Sequence, residues 1–147
     1  MKDQMIRVLI AEDMEPIRRL YAKIISSADD MEIVADVGTG EMAVKKALEY
    51  HPDVILMDIE MEKKDAGLRA VEEIYHAGFN PKIIILTVYE EDEMIFTAFQ
   101  LGVCDYLLKN APQEEVLTSI RNAYHNNSPL RPELATKILG EFKRVKS

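Results

Sequence analysis

The stretch Val54-Ile55-Leu56-Met57-Asp58 decides the fold of this chain. An unbroken apolar run ends in a carboxylate, and Pro52-Asp53 stands immediately before it. A continuous apolar run bounded by turn residues is typical of a strand that is buried on both faces of a parallel sheet. In open α/β sheets the chemistry lies at the carboxyl ends of such strands. Asp58 is therefore placed where a reactive group is expected.

Other short apolar runs alternate with segments of helical periodicity, so the chain repeats a strand–helix unit. The segments predicted as strands are 7–11, 32–37, 53–58, 82–87 and 103–108. Repeats of this kind require a parallel sheet with right-handed crossovers. We therefore predict an α/β fold of the flavodoxin-like (βα)5 type. It is a three-layer sandwich whose five-stranded parallel sheet has the order 2-1-3-4-5.

The segments between the strands carry their own expectations. Pro16 suits the first turn of the first helix. The apolar positions of that helix repeat at helical spacing and are predicted to face the core; they are Ile17, Leu20, Tyr21, Ile24 and Ile25. A polar loop is predicted from Glu60 to Gly67, ahead of the third helix.

The composition excludes some classes of function. The 147 residues include 18 basic and 26 acidic side chains, which gives a net charge of −8. An acidic chain lacks the basic surface of a domain that binds duplex DNA, so we expect it not to bind DNA by itself. No apolar run approaches the roughly 20 residues of a membrane span, so we expect no membrane insertion. The single cysteine, Cys104, fits a reducing compartment, and we expect the cytoplasm.

The sequence pattern changes near residue 127. Residues 1–127 are predicted to form one domain, a length that supports a single hydrophobic core. Residues 128–147 are predicted to be a linker that contains a short helix over 132–142. The linker ends in the basic run Lys143-Arg144-Val145-Lys146.

The residues that follow the predicted strands carry most of the chemical information. Four of the five strand ends bear groups suited to metal or phosphoryl chemistry, namely Glu12-Asp13, Asp58, Thr87 and Lys109. The second strand ends at Gly38 instead, and in the predicted order it lies at the edge of the sheet. Taken singly, each of these side chains is as well explained by a helix cap or a solvated position. Their joint position at neighbouring strand ends predicts one site.

The chemistry of such a site follows from charge. Three crowded carboxylates repel one another and tend to take up protons. A hard divalent cation relieves the repulsion, and oxygen ligands with open water positions favour Mg²⁺. A carboxylate nucleophile at Asp58 would form an acyl phosphate while the metal holds a phosphoryl oxygen. Lys109 can pair with Asp58 and then with the phosphoryl group, and Thr87 offers a hydroxyl donor.

Several of these pieces together resemble the receiver domain of a two-component response regulator, over residues from about 5 to 126. The matching pieces are Leu9-Ile10-Ala11-Glu12-Asp13, Asp58 after its aliphatic strand, Leu86-Thr87, and Asp105-Tyr106-Leu107-Leu108-Lys109. The likeness lies in their order and their position at strand ends.

The resemblance implies a role for each site residue. Asp58 would accept a phosphoryl group from a histidine on a sensor kinase. Glu12 and Asp13 would arrange Mg²⁺ together with Asp58 and the main-chain carbonyl of Glu60. Thr87 and Tyr106 would switch together, the hydroxyl moving to the phosphoryl group while the ring turns inward. The family also implies a homodimer on phosphorylation, and a signalling domain that assists its own phosphoryl transfer and dephosphorylation without being an enzyme.

The chain departs from the family pattern in the loop after Asp58. Family members commonly have proline four residues after the phosphorylated aspartate, whereas this chain has Glu62. The loop is also one residue longer than usual before its glycine, Gly67. The shape of the loop and the lifetime of the phosphate are the properties that these differences affect.

The segment Ser128-Pro129-Leu130-Arg131-Pro132-Glu133-Leu134-Ala135 resembles the region after the receiver in the NarL/LuxR class of transcription factors. Those proteins carry a C-terminal helix-turn-helix domain, which is absent from these 147 residues. DNA would then be contacted only through that absent domain. The alternative is a stand-alone receiver that acts through protein partners.

Two other classes of protein use related sites. A phosphatase of the haloacid dehalogenase type needs a second aspartate two residues after the first and a threonine two residues later, but this chain has Glu60 and Glu62 there. A flavin-binding module of the same fold needs a Ser/Thr-rich phosphate loop after the first strand. The acidic run Glu12-Asp13-Met14-Glu15 would repel that phosphate.

Overall fold

The computed structural model describes residues 5–88 and 93–126. Within these ranges strands and helices alternate along the chain. The strands are β1 (Ile6–Ala11), β2 (Met31–Val37), β3 (Val54–Asp58), β4 (Lys82–Thr87) and β5 (Asp105–Leu108). The helices are α1 (Glu15–Ser26), α2 (Gly40–Tyr50), α3 (Ala66–His76), α4 (Glu93–Leu101) and α5 (Gln113–Tyr124). None of these helices combines the length and the hydropathy that a bilayer crossing requires. The predicted linker over 128–147 lies outside the described residues.

The strands form one five-stranded parallel sheet in the order β2-β1-β3-β4-β5. The predicted flavodoxin-like fold and its strand order are therefore confirmed. The direction of winding reverses at β1, which has β2 on one side and β3 on the other. In sheets of this kind a crevice opens beyond the carboxyl ends of the strands at that reversal.

The hydrophobic core lies in two layers, one on each face of the sheet. Alternate residues of a strand point to opposite faces, and β3 shows this clearly. Ile55 and Met57 pack with residues of α2, α3 and α4, whereas Val54 and Leu56 pack with residues of α1 and α5. Every residue of β3 is buried, which explains the unbroken apolar run. Full burial of one such side chain is worth roughly 1.5–3 kcal/mol.

Three sequence-based expectations about packing and boundaries are wrong. The fifth strand was expected to begin at Val103, but it begins at Asp105. Leu20 was expected to face the core, but 52% of it is exposed. The buried stripe of α1 is narrower than the predicted one and consists of Tyr21, Ile24 and Ile25. The loop after β3 was expected to extend to Gly67, but α3 already begins at Ala66, so this glycine belongs to the first turn of the helix.

Gly67 is the point of closest contact between α3 and the end of β3. Its N–H donates to the carbonyl oxygen of Ile59 at 2.7 Å. A Cβ atom at this position would lie 2.0 Å from the carbonyl oxygen of Asp58, which is far inside the van der Waals limit. The approach of helix to strand therefore requires a residue without a side chain. This contact sets where the loop after Asp58 must end.

The substitution Gly67→Ala is expected to destabilise the fold, because the new methyl group meets rigid backbone. Overpacking of this kind costs about 1–3 kcal/mol, and we expect the upper end of that range. A matched control is Gly78→Ala, since Gly78 has φ of +89° but nothing within 4 Å of an added Cβ. The control carries only the cost of a left-handed backbone, about 1–2 kcal/mol. Urea unfolding of both variants measures the difference, and a Gly67→Ala chain as stable as the control would contradict the close contact.

Candidate functional site

The strand ends bring the predicted site residues to one edge of the sheet. In the pairing of β1 with β3, Ala11 lies beside Met57, so the residues that follow them, Glu12 and Asp58, are neighbours. On the other side, Thr87 at the end of β4 pairs with Leu108 of β5, and Lys109 follows. The parallel registers therefore place residues that are far apart in sequence around one crevice.

Main-chain contacts fix the end of β1. The N–H of Glu12 donates to the carbonyl oxygen of Val37 at 3.0 Å, which keeps the chain in line with β2. Arg18 Nη1 donates to the carbonyl oxygen of Glu12 at 2.9 Å, and the N–H of Met14 donates to Glu12 Oε2 at 3.1 Å. The side chain of Glu12 is thus held below the surface, at 0% exposure.

Three carboxylates form an acidic cluster at the crevice. Glu12 and Asp58 are buried and Asp13 is exposed, and one oxygen from each residue lies within 4.8 Å of the others. Like charges at this separation repel strongly where water is excluded. The cluster therefore needs positive charge nearby.

Lys109 supplies part of that charge. Its Nζ lies 2.9 Å from Glu12 Oε1 and 3.0 Å from Asp58 Oδ2. Burial alone would lower the pKa of Lys109, but the hydrogen bonds and charges of the two carboxylates outweigh burial and raise the pKa above its ordinary value. The ammonium group therefore stays charged and bridges the two buried acids.

Asp58 is held in an environment that disfavours its ionised form. Burial raises its pKa, the hydrogen bond from Lys109 lowers it, and the charge of Glu12 raises it again. The net result is a pKa of about 7 instead of the ordinary 3.8. Asp58 therefore keeps its proton at higher pH than a solvent-exposed aspartate does.

Thr87 and Tyr106 lie close to each other on one face of the sheet. Tyr106 pairs with Ile85 across the β4–β5 ladder, two residues before Thr87, so the two side chains are diagonal neighbours. Both are 4% exposed. The ring of Tyr106 packs into the core layer on the α2, α3 and α4 side, so it occupies the inward position in this structure.

An open cavity of about 240 Å³ lies above the acidic cluster. The predicted site residues in its lining are Asp13, Asp58, Glu60, Thr87 and Lys109. Apolar side chains complete the wall, including Met14, Met61 and Val88. Since one water occupies roughly 30 Å³ of liquid, the space accommodates a phosphoryl group together with several waters.

The acidic cluster fits a hard divalent cation such as Mg²⁺. Glu12 Oε1 is buried and lies 2.9 Å from Lys109 Nζ, so this oxygen already faces positive charge. One oxygen from each of Glu12, Asp13 and Asp58 lies within 4.8 Å of the others, and oxygen atoms are the ligands that Mg²⁺ takes in proteins. Glu60 reaches the same cavity. Glu12, Asp13 and Asp58 would hold the ion, and its charge would relieve the repulsion between their carboxylates.

Two residues of the site region were missed by the sequence analysis. Tyr21 of α1 is buried with a hydroxyl that has no hydrogen-bond partner in the described chain. Burial and then the charges of Glu12 and Asp58 raise its pKa to about 12. Tyr21 resembles an ordinary core position in the sequence, because nothing in the helical pattern indicates where the hydroxyl lies.

The second missed residue is Glu62, which the sequence marked only as a departure from the family. Its carboxylate accepts hydrogen bonds from the N–H groups of Gly40 and Glu41 at the start of α2, at 2.7 and 3.1 Å. Burial alone would raise the pKa of Glu62, but these backbone donors together with its own N–H hold the pKa below its ordinary value. No sequence signal connects Glu62 with the start of α2, more than twenty positions earlier.

Comparison with known proteins gives the family. The sequence pattern of the response regulator receiver domain matches residues 8–121. The chain therefore belongs to the response regulator receiver domain family. This match agrees with the fold and with the acidic crevice, and it leaves a phosphatase of the haloacid dehalogenase type without support.

The relatives point to the NarL/LuxR type of two-component response regulator. The chain is 33% identical over 136 residues to the oxygen regulatory protein NreC of Staphylococcus carnosus (strain TM300), a match that covers 92% of this chain and 63% of that protein. It is 36% identical to NreC of Staphylococcus aureus (strain JH9), with the same coverage. The chain thus spans less than two thirds of the length of these relatives.

Solved structures of response regulators agree with this family assignment. A DNA-binding response regulator of the LuxR family from Staphylococcus aureus is 32% identical, with a TM-score of 0.75, and the match covers 82% of this chain and 99% of that one. A LuxR-family two-component response regulator from Aurantimonas sp. SI85-9A1 has a TM-score of 0.83 at 22% identity, with 95% and 99% covered. The second likeness concerns the fold alone. The chain is a receiver domain of the NarL/LuxR type.

The raised pKa of Asp58 predicts how stability depends on pH in metal-free buffer. The folded state keeps the proton up to about pH 7, whereas the unfolded chain loses it near 3.8. The resulting stabilisation is fully present below pH 3.8 and is lost as the pH rises through about 7. Its upper limit is roughly 1.4 kcal/mol for each unit between the two pKa values.

Urea unfolding of wild type and Asp58→Asn at pH 5 and pH 8, with a chelator present, isolates this contribution. We expect the wild type to lose stability relative to Asp58→Asn on going from pH 5 to pH 8. An equal difference between the two proteins at both pH values would mean that Asp58 has an ordinary pKa.

Proposed function

We propose that Asp58 is the phosphoacceptor of this receiver domain, that Mg²⁺ is its cofactor, and that a sensor histidine kinase is its phosphodonor. The observation that carries the proposal is the burial of the Asp58 carboxylate beside Glu12, with Lys109 Nζ 3.0 Å from its Oδ2. A buried acid in an open polar cavity, with one cation already in contact, is suited to attack a charged electrophile.

The residues that would hold Mg²⁺ are Glu12, Asp13, Asp58 and the main-chain carbonyl of Glu60. When bound, the ion neutralises charge on the phosphoryl oxygens and lowers the cost of ionising Asp58. A carboxylate oxygen of Asp58 forms the new bond to phosphorus, and the bond between phosphorus and the donor's histidine nitrogen breaks. The electron pair of the broken bond returns to the imidazole. The residues of the chain position the phosphoryl group and stabilise its charge, and the transfer needs no chain of proton donors.

Lys109 and Thr87 act on the transferred group. Lys109 Nζ already contacts Asp58, and after transfer it pairs with a phosphoryl oxygen. The Thr87 hydroxyl lines the same cavity and can donate to a second oxygen. Both contacts exist only when the phosphoryl group is present, so they favour the conformation in which both side chains have closed on it.

The output of the domain is a population shift, with Tyr106 as its reporter. Movement of Thr87 towards the phosphoryl group leaves space on its face of the sheet. The ring of Tyr106 fills that space when it is in the inward position. A few kcal/mol separate such states in switching proteins, so the unphosphorylated chain samples both. The exposed surface of α4, β5 and α5 then differs between the two states.

The domain is a signalling device that assists its own phosphoryl transfer and dephosphorylation; we do not propose an enzyme with an external substrate. In the whole protein, phosphorylation would promote a homodimer, and DNA would be bound through a C-terminal helix-turn-helix domain. The description of the Staphylococcus aureus structure as a DNA-binding response regulator supports that output. The single Cys104 fits work in the reducing cytoplasm.

Phosphorylation can be tested directly on this chain. Incubation with acetyl phosphate and Mg²⁺ is expected to add the mass of one phosphoryl group, and a chelator should abolish the gain. Asp58→Asn should gain nothing, because an amide is a poor nucleophile. The matched control is Asp53→Asn at the other end of the same strand, where the side chain accepts a hydrogen bond from the N–H of Arg7 and an amide oxygen can do the same.

Intact-mass measurement follows the three proteins. The control should be labelled like wild type, and the label should be released by hydroxylamine, which cleaves acyl phosphates. Labelling of Asp58→Asn that resists hydroxylamine would contradict the assignment of Asp58.

A further inference from the structure

The loop between β3 and α3 is tied to α2 by one side chain. Glu62 Oε1 accepts a hydrogen bond from the N–H of Gly40 at 2.7 Å, and Glu62 Oε2 accepts one from the N–H of Glu41 at 3.1 Å. Both donors lie in the first turn of α2, more than twenty residues earlier in the chain. A carboxylate that takes two main-chain donors with separate oxygens is held in position and direction.

The start of α2 is suited to this contact. The first N–H groups of a helix have no partner within the helix and carry partial positive charge. Thr39, the residue before the helix, accepts a hydrogen bond from the N–H of Met42 at 3.1 Å. Glu62 takes the two donors that Thr39 leaves open, so the first turn of α2 is satisfied by a local cap and a distant one together.

The same loop is fixed at its far end by close packing. A Cβ atom on Gly40 would lie 2.8 Å from the carbonyl oxygen of Ala66, so α2 and α3 meet with no space for a side chain. Main-chain hydrogen bonds hold the rest of the loop. The N–H of Met61 donates to the carbonyl oxygen of Lys63 at 3.1 Å, and the N–H of Gly67 donates to the carbonyl oxygen of Ile59 at 2.7 Å. The segment between Asp58 and α3 is therefore clamped at its middle by Glu62.

Glu60 lies in the clamped segment, two residues before Glu62, and lines the cavity above Asp58. We propose that Glu62 is a positioning residue for the reaction at Asp58: its two hydrogen bonds to the start of α2 hold the loop so that the main-chain carbonyl of Glu60 faces the cation. This inference rests on the proposed function, because it assigns Glu62 a role towards the metal of that site. Glu62 itself does not line the cavity above Asp58.

The chain offers graded variants and a matched control. Glu62→Ala removes both acceptors, whereas Glu62→Gln keeps one acceptor oxygen and removes the charge. Asp65→Asn removes the same charge from the same loop, but Asp65 pairs only locally with Arg69 Nε, at 3.0 Å on the surface, among the contacts of the described residues. A loss of Mg²⁺ affinity that is caused by the removed charge alone would appear in Asp65→Asn as well.

The test measures the binding of Mg²⁺ alone to each variant. Isothermal titration of the unphosphorylated chain is expected to show about tenfold weaker binding for Glu62→Ala, a typical loss for residues that orient a ligand from outside the metal's direct contacts. Glu62→Gln should weaken Mg²⁺ binding less than Glu62→Ala does, because one acceptor oxygen remains, and Asp65→Asn should bind like wild type. Amide exchange at Gly40 and Glu41 should accelerate in the Glu62 variants, and thermal unfolding confirms that each variant is folded.

The outcomes separate this inference from the proposed function. If the amides of Gly40 and Glu41 exchange faster but Mg²⁺ affinity is unchanged, Glu62 is a helix cap only and the positioning role is overturned. Equal losses of Mg²⁺ affinity in Glu62→Gln and Asp65→Asn also overturn the positioning role, because they would show that the loss of one negative charge is enough to weaken binding. In both cases a wild type that takes up a phosphoryl group at Asp58 leaves the proposed function intact. A wild type that binds no Mg²⁺ and takes up no phosphoryl group overturns both.

Discussion

The ammonium group of Lys109 lies between two buried carboxylates, 2.9 Å from Glu12 and 3.0 Å from Asp58, and the site depends on this contact. Two buried acids at the end of neighbouring strands would be too costly without a cation beside them. Burial and then the charge of Glu12 raise the pKa of Asp58 to about 7, although the hydrogen bond from Lys109 lowers it. A further positive charge would therefore stabilise the three carboxylates of the site.

The fold makes this arrangement possible because parallel strands end at the same edge of the sheet. The registers of β1 with β3 and of β4 with β5 align the strand ends, and two packed helical layers hold the sheet in place. The least regular part is the loop after Asp58, which is set by Gly67 at one end and by Glu62 in the middle. In the proposed site the sheet would supply the side chains, and the loop held by Glu62 would supply the main-chain carbonyl of Glu60.

Much of this follows from the sequence because its signals are local. The apolar run before Asp58 indicates a buried strand, and the alternation of strands and helices indicates the parallel order, so the meeting of Glu12, Asp13, Asp58, Thr87 and Lys109 is predictable. The exposure of Leu20 is not, since helical spacing does not tell how wide a stripe the core covers. The contact of Glu62 with Gly40 joins distant segments, and the inward position of the Tyr106 ring depends on its packing in a core layer. Neither property is encoded in a short pattern.

A crystal structure of the chain with Mg²⁺ and beryllium trifluoride, a stable mimic of the phosphoryl group, tests the central claim most directly. We expect the beryllium to be bonded to a carboxylate oxygen of Asp58, with Lys109 Nζ and Thr87 Oγ1 within about 3 Å of its fluorines. The metal ion should be held by Glu12, Asp13, Asp58 and the carbonyl of Glu60. A metal ion bound away from these carboxylates, or an adduct on another residue, would contradict the account.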